Sequence, residues 1–71
     1  MLHEELTKLL NNLTRLRKQN DLTKTEMANA LHISTVTLNK IENGIMPKRL
    51  GANILIRASR YFSIPIEQLF S

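Results

Sequence analysis

Leu2, Leu6, Leu9, Leu13 and Leu16 recur at alternating steps of four and three, a spacing that lays them along one stripe of a helix. The stripe predicts a first helix from about His3 to Gln19, ended by Asn20-Asp21. Met27, Ala28 and Leu31 then fall on one face of a second, shorter helix. Its start is marked by a capping box: the Thr23 hydroxyl can accept an orphan amide hydrogen while Glu26, three residues on, reaches back to the Thr23 amide. A third helix has Ser34 as its N-cap and exits through Asn43-Gly44, where Gly44 supplies a left-handed closing residue. After the loop IMPKRL, residues 45–50, Leu55, Ala58 and Phe62 predict a fourth helix from about Leu50 to Phe62, its first turn weakened by Gly51. Ser63 is expected to cap a short last helix beginning near Pro65, with Ile66, Leu69 and Phe70 on its apolar face. No segment alternates with a period of two. The expected fold is therefore all-α, a compact bundle of five helices around one small core.

The second and third helices are too short to be stable alone, because an isolated helix below roughly a dozen residues is marginal in water. They must pack, and packing leaves one face of the third helix outward. Ile33, Leu38 and Ile41 fall on its inner side and Thr35, Val36, Asn39, Lys40 and Asn43 on its outer side. That outer face could be plain solvated surface. Two features favour more: Val36 is apolar on an otherwise polar face, and no acidic residue lies there. Asn and Lys can hydrogen-bond base edges in a DNA major groove, and Val can pack against a thymine methyl.

Seventy-one residues make one domain, 1–71, that buries only a modest fraction of its surface, so a deep catalytic cleft is not expected. The chain has no cysteine, which excludes a disulfide framework or thiolate metal site. His3 and His32 are too few and too far apart to suggest a metal, and no cofactor or small-molecule ligand is implied. Glu4, Glu5, Lys8, Arg15, Arg17 and Lys18 interrupt the first twenty residues, which rules out a signal peptide or membrane span there. A membrane-surface helix would want a larger basic face and more aromatic anchors. The protein is expected to be soluble and cytoplasmic. Ten basic against six acidic residues give a formal charge of +4, and residues 34–62 hold Lys40, Lys48, Arg49, Arg57 and Arg60 against Glu42 alone. Charge of this size fits either an ordinary solvated surface or the electrostatic footprint of a polyanion-binding face.

Several elements in register carry a resemblance. They are Leu13 and Leu16-Arg17; Leu22-Thr23 followed by Glu26-Met27-Ala28; the turn Leu31-His32-Ile33-Ser34; Ile41-Glu42-Asn43-Gly44; and the ending Ile64-Pro65-Ile66-Glu67-Gln68-Leu69-Phe70. Residues 13–70 resemble the helix-turn-helix domain of the lambda-repressor-like superfamily, the Cro/repressor or Xre family of phage and bacterial regulators. Any one element is weak and together they are specific. The resemblance implies a helix-turn-helix over 23–42 with a recognition helix over 34–42. It assigns Thr35, Val36, Asn39 and Lys40 to DNA bases, and Thr23, Lys24, Thr37, Asn43, Lys48 and Arg49 to phosphates, with the amides around Gly44 forming a phosphate-binding corner with Asn43. Arg17 and Glu42 match a pair that braces helix one to the end of the recognition helix. The chain departs from the family where Lys24 replaces the usual Gln and His32 the usual Gly. If the turn needs a positive φ, His32 carries strain that Gly would avoid.

The implied partner is double-stranded DNA with a palindromic operator, bound by a homodimer as a transcriptional regulator, with repression the expected outcome, in a bacterial or phage-encoded and nucleoid-associated setting. Ile64, Ile66, Leu69 and Phe70 are the candidate dimer surface, although they could equally complete the monomer core. Helix one, whose first eight residues extend past what a small core needs, is the second candidate. Two rival functions share the fold: a DNA-binding antitoxin using the 1–8 extension, and a protein-interaction adaptor that does not bind DNA. An enzyme is not expected, because the acidic residues are scattered and no nucleophile, base and oxyanion site can be assembled.

Overall fold

The computed structural model describes residues 2–47 and 51–71, with side chains from Glu4 onward. Four α-helices, α1 Leu2–Gln19, α2 Lys24–Leu31, α3 Thr35–Glu42 and α4 Ala52–Phe62, are followed by a 3₁₀ helix, Ile66–Phe70. No strand occurs among the described residues. The fold is all-helical, with the fifth element a tighter 3₁₀ turn. At 1.5 Å per residue α1 is about 27 Å long, nearly the 31 Å maximum extent of the molecule, so the other elements gather around it.

Every element contributes to one core. Leu9, Leu10 and Leu13 of α1 meet Met27, Ala28 and Leu31 of α2, Leu38 and Ile41 of α3, Ile54 and Ala58 of α4, and Leu69 of the 3₁₀ helix. Each fully buried large side chain contributes roughly 1.5–3 kcal/mol, which is what holds two eight-residue helices that would melt in isolation. The leucine stripe is broader than its spacing predicts. Leu10 and Asn12 are buried beside it, because α1 is covered on two sides, by α3 and by the 3₁₀ helix. Leu6 is only half-buried, and the side chain of Leu2 and the whole of Met1 lie outside the described residues.

Asn12 is a buried polar side chain with a structural task. Its Nδ2 donates to the carbonyls of Leu69 at 2.8 Å and Ser71 at 3.1 Å, and lies 3.5 Å from that of Gln68. The last carbonyls of a helical segment lack partners within it, and α1 supplies them here.

All four α-helices end by the same device. Asp21, His32, Gly44 and Ser63 adopt left-handed φ angles of 54°, 57°, 76° and 54°. The amide of the aliphatic residue that follows each one donates back into the preceding helix: Leu22 to Arg17 O at 3.0 Å, Ile33 to Ala28 O at 2.9 Å, Ile45 to Lys40 O at 2.8 Å and Ile64 to Ser59 O at 3.0 Å. This is the Schellman closure, in which the aliphatic residue normally finds an apolar contact. Leu22, Ile33 and Ile64 pack against the core, whereas Ile45 is 55% exposed.

Ser63 therefore closes α4 instead of capping the next helix. Pro65 occupies the N-cap of the 3₁₀ helix and offers no side-chain hydrogen bond, while the Ser59 hydroxyl donates to Ile64 O and fixes this corner from the other side. The start of α4 falls at Ala52 with Gly51 before it and no side-chain cap, and the expected start at Leu50 lies outside the described residues. A left-handed residue with a Cβ is strained by about 1–2 kcal/mol, against a smaller entropic cost of placing Gly there. Replacing His32→Gly is accordingly expected to raise stability by about 0.5–1 kcal/mol, read as a higher calorimetric midpoint; an equal or lower midpoint would contradict the strain.

Candidate nucleic-acid interface

The capping box at α2 is complete: the Glu26 amide donates to Thr23 Oγ1 at 3.1 Å and the Thr23 amide to Glu26 Oε1 at 2.8 Å. Lys24, the first residue of α2, is exposed beside it. At α3 the Thr37 amide donates to Ser34 Oγ at 3.1 Å, and the two hydroxyls lie 3.0 Å apart in a hydrogen bond of their own. These contacts fix where α3 begins, and the left-handed turn at His32 fixes its angle to α2.

The two sides of α3 differ as its spacing predicts. Leu38 and Ile41 are buried, Ile33 packs against the core, and Thr35, Val36, Asn39, Lys40 and Asn43 are exposed. Thr37 sits between, half-buried. Val36 is 64% exposed, a large apolar side chain set in solvent on a helix whose other outward groups are polar or cationic.

The far end of α3 is held by a guanidinium. Arg17 Nε donates to Glu42 Oε2 at 2.5 Å and Nη2 to Oε1 at 3.0 Å, while Nη1 donates to Leu22 O at 3.0 Å. The side chains of the pair are 15% and 9% exposed. A fork on a carboxylate is the strong, geometrically specific form of ion pair, and here it joins α1, the corner after α1 and the last residue of α3.

A search of family models matches residues 13–69 to a helix-turn-helix family. The chain belongs to that family, of the Xre and lambda-repressor-like type. No curated protein and no solved structure matches it. Membership makes this helix-turn-helix protein a DNA-binding regulator of the Xre type, with α2 and α3 as the two helices of the motif and α3 turning Thr35, Val36, Asn39 and Lys40 outward together.

Within this helix-turn-helix protein the remaining site residues are placed unevenly. Asn43 is exposed, but its Nδ2 already donates to Asn39 O at 2.8 Å. The amides of Asn43, Gly44 and Ile45 all donate to carbonyls of α3. At this corner, which the resemblance assigns to a phosphate, those bonds close the helix. Lys48 and Arg49 lie outside the described residues. Leu69 is fully buried in the core of the single chain, Ile64 and Phe70 pack against that core, and Ile66 alone of the four stays exposed.

Two features escape the sequence reading. Asn12 lies just off the leucine stripe and looks like an ordinary solvent-facing amide. Ile45 and Met46 are both exposed next to the end of α3; an aliphatic residue after Asn-Gly would ordinarily be assigned to the core. Among the described residues no helix is long and apolar enough to cross a membrane, and no three His, Asp or Glu side chains come together as a metal site.

Breaking the Arg17 fork leaves the mostly buried Glu42 carboxylate uncompensated. Arg17→Met is expected to cost about 2–4 kcal/mol, a large share of the stability of so small a domain. The double change Arg17→Met with Glu42→Met should cost much less than the sum of the singles, because the orphaned charge is gone. Urea unfolding of the three variants measures the coupling; additive losses would show that the fork braces nothing.

Proposed function

We propose that this protein is a sequence-specific transcriptional repressor that lays α3 in the DNA major groove and binds a two-fold-symmetric operator as a homodimer. The observation that carries this reading is the outward face of α3. It is free of acid and exposed, and it is held at one end by the Ser34 cap and at the other by the Arg17–Glu42 fork. Thr35, Val36, Asn39 and Lys40 are the base-reading side chains, since the internal hydrogen bonds at this helix are made by Ser34, Thr37 and Asn43. Phosphate contacts from Thr23, Lys24, Thr37, Asn43, Lys48 and Arg49 set the docking. Lys24 suits this task in particular. The first amides of a helix point outward without partners, and of the first turn of α2 the Glu26 amide is the one its cap absorbs, so an exposed cation lies at a helix N-terminus.

Because Leu69 belongs to the monomer core, the dimer surface contracts to the ground around the exposed Ile66. Two copies on one duplex would place their α3 helices about one helical turn of DNA apart.

Selection of bound duplexes from a random pool, followed by salt titration, tests the reading. Asn39→Ala or Lys40→Ala is expected to relax sequence preference by about 1–3 kcal/mol. Lys24→Ala, Lys48→Ala or Arg49→Ala should weaken binding to all sequences and flatten the log–log salt slope by about one each. The reading is falsified if the protein shows no salt-sensitive affinity for any duplex.

Molar mass by light scattering addresses the dimer separately. The wild-type protein on its selected site is expected at two copies per duplex. Ile66→Asp, folded by circular dichroism, is expected to bind as single copies, and undiminished pairing of that variant would remove Ile66 from the interface.

A further inference from the structure

We propose that the outward side of α4 is a second binding face, separate from α3, which takes an acidic amphipathic helix of another protein. Asn53, Ile56, Arg57, Arg60 and Tyr61 follow the spacing that keeps residues on one side of a helix. Ile54 and Ala58 are buried on the opposite side, where Leu55 and Phe62 pack against the core. On the outward stripe Ile56 is 40% and Tyr61 52% exposed, Asn53 and Arg60 are exposed, and Arg57 is half-buried. Apolar and cationic side chains are thus set together, with Ile56 one turn from Arg60 and Arg57 one turn from Tyr61. None of these five is among the residues proposed to meet DNA. α4 is seated against α2 and the 3₁₀ helix, and α3 against α1 and α2, so α2 stands between this stripe and the outward face of α3.

The chemistry of the stripe selects its occupant. No acidic residue occurs from Asn43 to Ile66, and the one ion pair among the described residues is Arg17–Glu42, so Arg57 and Arg60 bring uncompensated positive charge. A second copy presenting the same stripe would set arginine against arginine, which opposes self-pairing. A nucleic-acid backbone would satisfy the two cations but leave Ile56 and Tyr61 against charged, hydrated phosphates, where apolar surface gains nothing. Tyrosine and arginine are instead enriched at protein interfaces, and a guanidinium takes a carboxylate through two parallel hydrogen bonds. No strand edge is present among the described residues, so an incoming segment has no ladder to join. It meets a helix surface, whose match is a helix with apolar anchors at i, i+3 and i+4 and glutamates beside them for Arg57 and Arg60. From Asn53 to Tyr61 the stripe runs about 12 Å at 1.5 Å per residue. Contact of that size is small, so the affinity is expected on the order of micromolar.

The test uses the full chain against a displayed library of short helical peptides that share one leucine ridge and carry Glu, Lys or Gln at random beside it. Peptides rich in Glu are expected to be recovered. A recovered peptide should bind the variant carrying Arg57→Glu and Arg60→Glu roughly tenfold more weakly and lose affinity as salt rises. Its counterpart with Lys in place of each Glu should bind that variant and not the wild type. Arg60→Glu alone, at an exposed position and checked by circular dichroism, is expected to shift affinity the same way if the double change unfolds. The proposal is overturned if the recovered peptides show no preference for Glu, or if charge reversal leaves their affinity as it was. It is overturned equally if a bound duplex competes with the peptide, which would give the stripe to DNA, or if Arg60→Glu changes the molar mass of the protein alone, which would make the stripe a contact between copies. The peptide measurements need no DNA, so a failure of the DNA-binding reading is seen separately.

Discussion

The Arg17 guanidinium is the constraint on which the site depends. It spends three N–H groups on two destinations, the Glu42 carboxylate and the Leu22 carbonyl, and through them ties the long helix to the corner that starts the helix-turn-helix and to the residue that ends α3. Partly buried ion pairs of this kind add little net stability when compared with well-packed apolar residues. What a forked pair does provide is direction, because a planar guanidinium accepts a carboxylate in a fixed geometry. An eight-residue helix resting on two buried side chains, Leu38 and Ile41, could roll on its core. Clamped at Glu42, its outward side chains keep one bearing relative to α2 and to the exposed Lys24.

Asn12 plays the matching part at the other face of α1. Its amide holds carbonyls at the end of the 3₁₀ helix, which brings Leu69 into the core beneath it. The long helix therefore carries two polar fasteners pointing to different neighbours, one for α3 and one for the chain's last turn, with the leucines between them supplying the apolar contact. The leucines give adhesion without a preferred angle, and the fasteners supply the angle.

Much of this was legible in the residues. The capping box at Thr23 and Glu26, the Ser34 cap, the Gly44 closure and the inside–outside division of α3 all follow from local chemistry, which acts over three or four residues and leaves a mark at that spacing. The resemblance over residues 13–70 matched Arg17 to a partner at Glu42, which spacing could not do across 25 positions. Features set by long-range packing were harder to read. Asn12 finds its partners 57 and 59 residues away. Ser63 has the grammar of an N-cap, yet it serves the helix behind it because Ile64 has core to dock against. Leu69 and Ile66 are both apolar and close in sequence, and only the position of α1 decides that one is buried and the other is not.

The repeated left-handed closures have a bearing on how this molecule comes apart. With two glycines in the whole chain, three of four corners are turned by residues that resist the turn, and each is held there by an aliphatic neighbour seated in the core. Helix termination at Asp21, His32 and Ser63 is therefore a tertiary event, and those ends cannot fray without unseating Leu22, Ile33 or Ile64. Cooperativity is thus written into the corners as well as into the core. The end of α3 is the exception: Gly44 turns without strain and Ile45 stays in solvent, so this end is held by the Arg17–Glu42 fork in place of an aliphatic residue seated in the core.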